Sequence, residues 1–117
     1  MDISSYSLDE LQKLCGDIRE RILEVVSVNG GHLSSTLGAT ELIVAMHKVF
    51  DSKKDPFIFD VSHQAYAHKL ITDRWEEFAT LRQFGGLSGY TKPSESEDDF
   101  FVAGHSSTSI SLGVGAA

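Results

Sequence analysis

The spacing of apolar residues in the first part of the chain predicts two amphipathic helices. From Leu8 to Val26, apolar side chains recur three and four residues apart, as one face of a helix requires. Ser7, followed three residues later by Glu10, fits a capping box at the start of this helix, and Asn29-Gly30-Gly31 provides its stop. After the loop GGHLSSTLG, residues 39–50 return to helical spacing. The predicted apolar face of this second helix consists of Leu42, Ala45, Met46, Val49 and Phe50.

Two later runs are continuously apolar, which is typical of strands buried on both faces of a parallel sheet. They are FIFDV at 57–61 and FFVA at 100–103. Between them, SHQAYAHKLI predicts a helix with Ser62 as its N-cap, and RWEEFATLRQF predicts another. The polar segment GLSGYTKPSESEDD predicts a surface loop with a solvated acidic end. Helices that alternate with short apolar strands indicate an α/β fold with helices packed on a parallel sheet.

The pattern at the end of the chain predicts an incomplete domain. Two strands make a poor parallel sheet, and the helix predicted from about Ser107 onward carries no stop signal. We therefore expect residues 1–117 to form the front part of a larger α/β domain, with no internal boundary.

Composition and charge narrow the possible partners. The 117 residues carry a net charge of −7, which argues against nucleic acid or an anionic membrane surface as a partner. The single cysteine, Cys15, suits a reducing compartment and predicts a buried apolar position. The first residues do not resemble a signal peptide, and no apolar run approaches the roughly 20 residues of a membrane span. We expect a cytoplasmic protein.

Histidines at the ends of the predicted strands are the first candidates for chemistry. His63 follows one strand and His105 follows the other, so a parallel sheet would place both on the edge where ligands bind. Gly104-His105-Ser106 precedes a predicted helix, whose first N–H groups suit a phosphate, although an ordinary N-cap also fits. His32 lies in a glycine-rich loop. His47, within a helix, is predicted to be a surface residue or a helix-end hydrogen bonder, and His68 is predicted to be structural.

Two other kinds of site, a serine-hydrolase nucleophile and a zinc site, fit the sequence less well than a phosphate site. GHSST approximates the G-x-S-x-G elbow of serine hydrolases, but Thr108 stands where that motif has glycine. A zinc site is disfavoured, because the chain has no cysteine pair and no H-E-x-x-H pattern. A non-catalytic module that binds a phosphate or a protein partner stays open.

Four long motifs, in order, carry a resemblance to a known family. NGGHLSSTLGATEL, FDVSHQAYAHK, RQFGGLSGYTKPSESE and AGHSSTSIS together resemble the N-terminal part of the 1-deoxy-D-xylulose-5-phosphate synthases, which belong to the transketolase superfamily. The resemblance implies a transketolase-like domain that binds thiamine diphosphate and Mg²⁺, in a homodimer. It implies condensation of pyruvate with D-glyceraldehyde 3-phosphate, with loss of CO₂. The product would feed isoprenoid, thiamine and pyridoxal synthesis.

The same resemblance assigns roles to individual residues. It implies that His32 assists proton transfer and that His63 contacts the cofactor. It also implies that the cofactor's diphosphate is held by Gly104, His105 and Ser106, with Ser35 as a weaker candidate. Ser62, Ala67 and Asp73 depart from the pattern, since many members have Gly, Pro and Gly there. The family's metal motif and activating glutamate are expected beyond residue 117, so the chain alone is expected to be inactive.

Overall fold

The computed structural model describes residues 1–102 and 104–117, and its longest element is the first predicted helix. Helix α1 spans Leu8–Asn29, and the predicted capping box is present at its start. The Glu10 N–H donates to the Ser7 hydroxyl, and the Ser7 N–H donates to the Glu10 carboxylate. Gly30, at φ 81°, ends the helix, and Cys15 is buried as predicted. The sequence prediction for this element is confirmed.

Among the described residues, four further α-helices and one 3₁₀ helix follow α1. They are α2 (Ser34–Gly38), α3 (Thr40–Val49), α4 (Tyr66–Ile71), the 3₁₀ helix (Glu77–Thr80) and α5 (Ser109–Ala116). Helix α2 was not predicted and lies within the glycine-rich loop. The helix predicted from RWEEFATLRQF is reduced to the single 3₁₀ turn. Helix α4 begins at Tyr66 without a side-chain cap, so the prediction of Ser62 as its N-cap is wrong.

The core forms where α1, α3 and α4 meet. All six residues of α4 are buried, and α1 contributes a buried stripe that includes Ile18 and Ile22. Helix α3 buries Ile43 and Val44, whereas Leu42 and Val49 are exposed. The predicted apolar face of α3 is therefore wrong except at Met46, which is partly buried against the core. Both sides of this helix are apolar, and only contact with α1 and α4 decides which side is buried.

The described residues contain no β-strand, so the predicted parallel sheet is not seen in this chain. Residues 57–61 and 100–102 are irregular, with Phe57 and Phe59 buried in the core. Ala103, the last residue of the second predicted strand, lies outside the described residues. A strand requires a neighbour that completes its hydrogen-bond ladder, and residues 57–61 form no backbone hydrogen bonds with residues 100–102.

The described residues pack into a compact helical unit with a Cα radius of gyration of 13.5 Å. Helix α5 is its least integrated element, because none of its eight residues is buried. Within residues 1–102 and 104–117, no helix has both the length and the apolar character needed to cross a membrane.

Candidate functional site

The structure brings together two of the predicted histidines, His32 and His63. Their rings are stacked, with centroids 3.6 Å apart and an interplanar angle of 13°. His32 is exposed and His63 is partly buried, so the pair is open to solvent on one side. We refer to His32 and His63 as the imidazole pair. Thirty residues separate them in sequence, so only the tertiary fold creates this arrangement.

Several groups act on the protonation of His63. Its pKa is lowered, first by burial and then by the neighbouring charges of His32 and Arg82. A lowered pKa favours the neutral ring, which can accept a hydrogen bond at one nitrogen while donating at the other.

Tyr66, the first residue of α4, fixes the loop that carries His32. Its side chain is fully buried, and its hydroxyl accepts a hydrogen bond from the His32 backbone N–H at 3.4 Å. Gly31, at φ 141°, allows this approach, since a Cβ there would stand 2.8 Å from the Tyr66 hydroxyl oxygen. The glycine of the predicted GGH motif is therefore required by close packing as well as by backbone conformation.

A tight turn presents His63. The Ser62 N–H donates to the Asp60 carbonyl at 2.6 Å, and Val61 and Ser62 have φ values of 60° and 67°. Positive φ is uncommon for residues other than glycine and is a true outlier for a β-branched residue such as Val61. Backbone strain of this kind concentrates at functional sites.

The predicted phosphate corner, Gly104–Ser106, lies beside the end of the 57–61 segment. The Asp60 carboxylate accepts hydrogen bonds from the N–H groups of Ser107 at 3.2 Å and Ser109 at 3.3 Å. These bonds lower the pKa of Asp60, that from Ser107 first. The backbone N–H groups at the start of α5 therefore bind a carboxylate of this chain, and the phosphate site predicted at Gly104–Ser106 stays a prediction.

The remaining predicted residues are not gathered around the imidazole pair. Ser35 is exposed on α2, and His105 and Ser106 are exposed on the corner. None of these three side chains makes a hydrogen bond or ring contact with His32 or His63 in the described part of the chain. Gly104 packs against the Tyr90 ring, which would lie 3.6 Å from a Cβ at that position.

Sequence reasoning missed Arg82, which adds positive charge beside the imidazole pair. Its aliphatic stem lies within 3.6 Å of the Cβ positions of Gly31 and Gly89, and its charge contributes to the lowered pKa of His63. An arginine beside two histidines favours an anionic ligand such as a carboxylate or phosphate. Arg82 opens the RQFGGLSGYTKPSESE motif, but its sequence distance from His32 conceals the contact.

The acidic end of the predicted loop is buried, which corrects the expectation that it is solvated. Asp99, 3 % exposed, accepts two hydrogen bonds from Arg74, at 2.7 and 2.8 Å, and one from His68 at 3.1 Å. Glu95 accepts from the buried Lys69 at 2.6 Å. We refer to His68, Lys69, Arg74, Glu95 and Asp99 as the buried charge network.

This network holds its acids ionised. Burial alone would raise the pKa of Asp99, but hydrogen bonds from Arg74 and His68 outweigh burial and lower it. For Glu95, too, burial acts to raise the pKa, and the bonds from Lys69 and the Ser88 N–H lower it. A charged side chain enters the interior only when paired in this way, so the loop is fixed to α4. His68 is structural, as predicted, though the fold supplies partners that its helix does not.

The described residues do not form a metal-binding site of their own. Among residues 1–102 and 104–117, no group of three or more His, Cys, Asp or Glu side chains is arranged to hold a metal ion. The Asp99 and Glu95 carboxylates are saturated by the cations of the buried charge network.

Comparison with known proteins identifies relatives along the whole chain. The family model described as 1-deoxy-D-xylulose-5-phosphate synthase matches residues 1–117. A protein of that name from Sulfurimonas denitrificans is 77 % identical over 117 residues, which are 100 % of this chain and 19 % of that protein. One from Nitratiruptor sp. is 76 % identical over 100 % of this chain and 20 % of its own length. One from Helicobacter pylori is 67 % identical over 99 % of this chain and 19 % of its own length.

The chain thus spans about a fifth of the length of these relatives. The match covers the segments that carry the imidazole pair, the corner and the buried charge network alike. The chain belongs to the 1-deoxy-D-xylulose-5-phosphate synthase family.

Proposed function

We propose that this chain is the N-terminal segment of a cytoplasmic, homodimeric synthase that uses thiamine diphosphate and Mg²⁺. The synthase condenses pyruvate with D-glyceraldehyde 3-phosphate, with loss of CO₂, for isoprenoid, thiamine and pyridoxal synthesis. In the complete domain, residues 57–61 and 100–103 join a parallel sheet whose other strands come from the rest of the protein. The family match along the full chain supports this proposal.

The observation that carries the proposal is the imidazole pair. Two histidines from separate motifs stack 3.6 Å apart on an accessible surface, beside the charge of Arg82. A structural histidine needs no such exposure, whereas a residue that exchanges protons with a substrate must be reachable. His32, the more exposed of the two, serves in proton transfer, and His63 contacts the cofactor.

The residues of this chain fit thiamine diphosphate in donor chemistry. The imidazole pair offers a flat polar surface, and the backbone leading into α5 donates to an anionic oxygen, for which Asp60 is a stand-in. Gly104, His105 and Ser106 hold the diphosphate side, with Ser35 as a weaker contact. When bound, the cofactor supplies the electron sink needed for loss of CO₂. Mg²⁺ is held by residues beyond Ala117.

Two variants of the full-length protein test these roles. His32→Ala should lower kcat by about 10²- to 10⁴-fold, the usual contribution of a proton-transferring side chain, and leave the Kd for thiamine diphosphate within about threefold. His63→Ala should raise that Kd about tenfold or more, which is 1.4 kcal/mol of binding. Calorimetry with Mg²⁺ and thiamine diphosphate measures Kd, and CO₂ release measures kcat.

His47→Gln is the matched control. Its ring packs against Phe57 and His68, away from the imidazole pair, so the substitution should change neither Kd nor kcat by more than about threefold. Equal losses in all three variants would show that histidine replacement acts through folding and would contradict the assigned roles. Turnover by residues 1–117 alone would contradict the location of the metal ligands.

Neither alternative gains support from the site. Ser106 donates no hydrogen bond to a histidine or carboxylate among the described residues, so a hydrolase nucleophile lacks its base. A simple phosphate-binding module would use only the start of α5 and gives no role to the stacked imidazole pair.

A further inference from the structure

A chain of buried hydroxyl groups connects the turn before His63 to the segment before Gly104. Ser62 is fully buried, Thr91 is 3 % exposed, and their hydroxyl oxygens lie 3.0 Å apart. The Thr91 hydroxyl is also 2.7 Å from the Phe101 carbonyl oxygen. These three residues come from separate parts of the sequence and meet only in the folded chain.

The chemistry of these groups fixes the direction of the bonds. A carbonyl oxygen only accepts, so the single hydroxyl proton of Thr91 is donated to Phe101. Thr91 is then the acceptor in its contact with Ser62, which donates. We call this Ser62 to Thr91 to Phe101 sequence of bonds the hydroxyl relay.

Each end of the hydroxyl relay adjoins a candidate binding element. Ser62 precedes His63 and adopts a φ of 67°, which glycine would adopt at lower energy. Phe101 lies three residues before Gly104, where the corner begins. A glycine at this position would remove both the strain and the buried polar group, so what the serine adds is the bond of its hydroxyl to Thr91.

The middle of the hydroxyl relay is anchored. Lys92, next to Thr91, donates its backbone N–H to the Asp99 carboxylate at 2.9 Å, and Asp99 is held by Arg74. Thr91 is therefore attached, through its neighbour Lys92, to the buried charge network. Thr91 is bonded to both Ser62 and Phe101, so the hydroxyl relay holds these two residues in one relative arrangement.

We propose that Ser62 and Thr91 are positioning residues that set His63 relative to the Gly104–Ser106 corner. The hydroxyl relay makes no contact with a ligand and acts through the two backbone segments that it joins. This inference rests on the proposed function insofar as the two segments share one cofactor. The geometric part of it holds for the protein irrespective of what binds there.

The test uses Thr91→Val, which preserves shape and removes both bonds, in the full-length protein. We expect the Kd for thiamine diphosphate with Mg²⁺ to rise about tenfold, and Thr91→Ser, which retains the hydroxyl, to restore it to within about threefold of the original value. Thr40→Val is the matched control. Thr40 is also fully buried and donates to a carbonyl, that of Thr36 at 3.0 Å, but it has no bond to the hydroxyl relay.

Amide hydrogen exchange, followed by mass spectrometry, provides a readout that needs no cofactor. Thr91→Val should accelerate exchange in peptides covering 61–66 and 100–107 together, and Thr40→Val should accelerate neither. In a Ser62→Gly background, Thr91→Val should have a smaller effect on both peptides, because one arm of the hydroxyl relay is already absent.

The outcomes separate this proposal from the proposed function. If the unaltered protein fails to bind thiamine diphosphate, the proposed function is wrong, and the exchange experiment alone decides on the hydroxyl relay. If Thr91→Val and Thr40→Val give the same exchange at 61–66 and 100–107, the hydroxyl relay does not position these segments. If exchange changes but Kd does not, the positioning role in cofactor binding is overturned.

Discussion

At the scale of single residues, the position of His32 depends on the absence of a Cβ at the preceding residue, Gly31. Gly31 allows the Tyr66 hydroxyl to reach the backbone of the next residue, and the hydrogen bond to the His32 N–H follows from this approach. Because the Tyr66 ring is fully buried and packs edge-on against Phe78 at 5.7 Å, it cannot retreat from an added methyl group. The glycine is thus required by α4.

Gly31→Ala should therefore destabilise the fold more than Gly30→Ala. Both positions have positive φ, but only at Gly31 does the new Cβ meet a neighbour, at 2.8 Å. We expect an additional loss of about 1–3 kcal/mol in the free energy of unfolding, measured by urea denaturation. Tyr66→Phe in the Gly31→Ala background should recover part of it, because it removes the clashing oxygen. Equal losses for the two glycine variants would show that backbone conformation alone matters.

At the scale of elements, the 86–99 segment shows a loop that is fixed like a core element. Its sequence is rich in Gly, Ser and Asp, which is typical of a solvated connection. Instead, Glu95 pairs with Lys69 of α4, and Asp99 pairs with Arg74. The same segment contains Thr91, whose hydroxyl contacts that of Ser62. A buried ion pair adds little net stability, but it specifies which segment lies where.

Breaking one member of this network should be costly. Asp99→Asn removes the carboxylate that accepts two hydrogen bonds from the buried Arg74 guanidinium and leaves Glu95, at 3.2 Å, as its remaining counter-charge, so we expect a loss of about 3 kcal/mol in the free energy of unfolding. Glu97→Gln, two residues away and exposed, should change it by less than about 0.5 kcal/mol. Chemical denaturation of both variants measures the difference. A small effect for Asp99→Asn would mean that the segment is not held by its charges.

At the scale of the whole molecule, stability depends on groups buried between elements. His68 Nε2 lies 3.1 Å from both the Asp98 carbonyl oxygen and the Asp99 carboxylate, so Nε2 carries the ring proton and donates it. His68 Nδ1 is then an acceptor, and it receives a hydrogen bond from His47 at 2.8 Å. Burial is the largest cause that lowers the pKa of His47 to about 4. These bonds join α3, α4 and the 86–99 segment.

Acidification should therefore weaken the fold. Unfolding returns the pKa of His47 from about 4 to 6.5, so between these values the unfolded chain binds more protons. The contribution of His47 to the free energy of unfolding should be at its maximum above pH 6.5. It should fall by about 1–3 kcal/mol as the pH approaches 4. The lowered pKa of Asp99 extends this loss to lower pH.

Urea denaturation between pH 7.5 and 4 provides the measurement for this prediction. His47→Gln should flatten the dependence, and His105→Gln, at an exposed position, should leave it unchanged. A stability that rises on acidification would contradict the assignment of a neutral, buried His47.

The sequence by itself determined the features that depend on neighbouring residues. The capping box and the three-and-four spacing define α1, because an isolated helix turn already contains those interactions. The long motifs are sufficient to indicate the family, and the match along residues 1–117 confirms it. The choice of His32 and His63 as candidates also came from the sequence, and their roles stay predictions.

Only the tertiary structure decided what depends on residues distant along the chain. The stacking of His32 on His63, the contact of Arg82, the cap that Asp60 gives to α5 and the burial of Glu95 and Asp99 all arise from such pairs. The exposed face of α3 and the irregular path of 57–61 have the same origin. A helix with two apolar sides, or a strand without its ladder, takes its state from the surfaces beside it, and local sequence does not encode those surfaces.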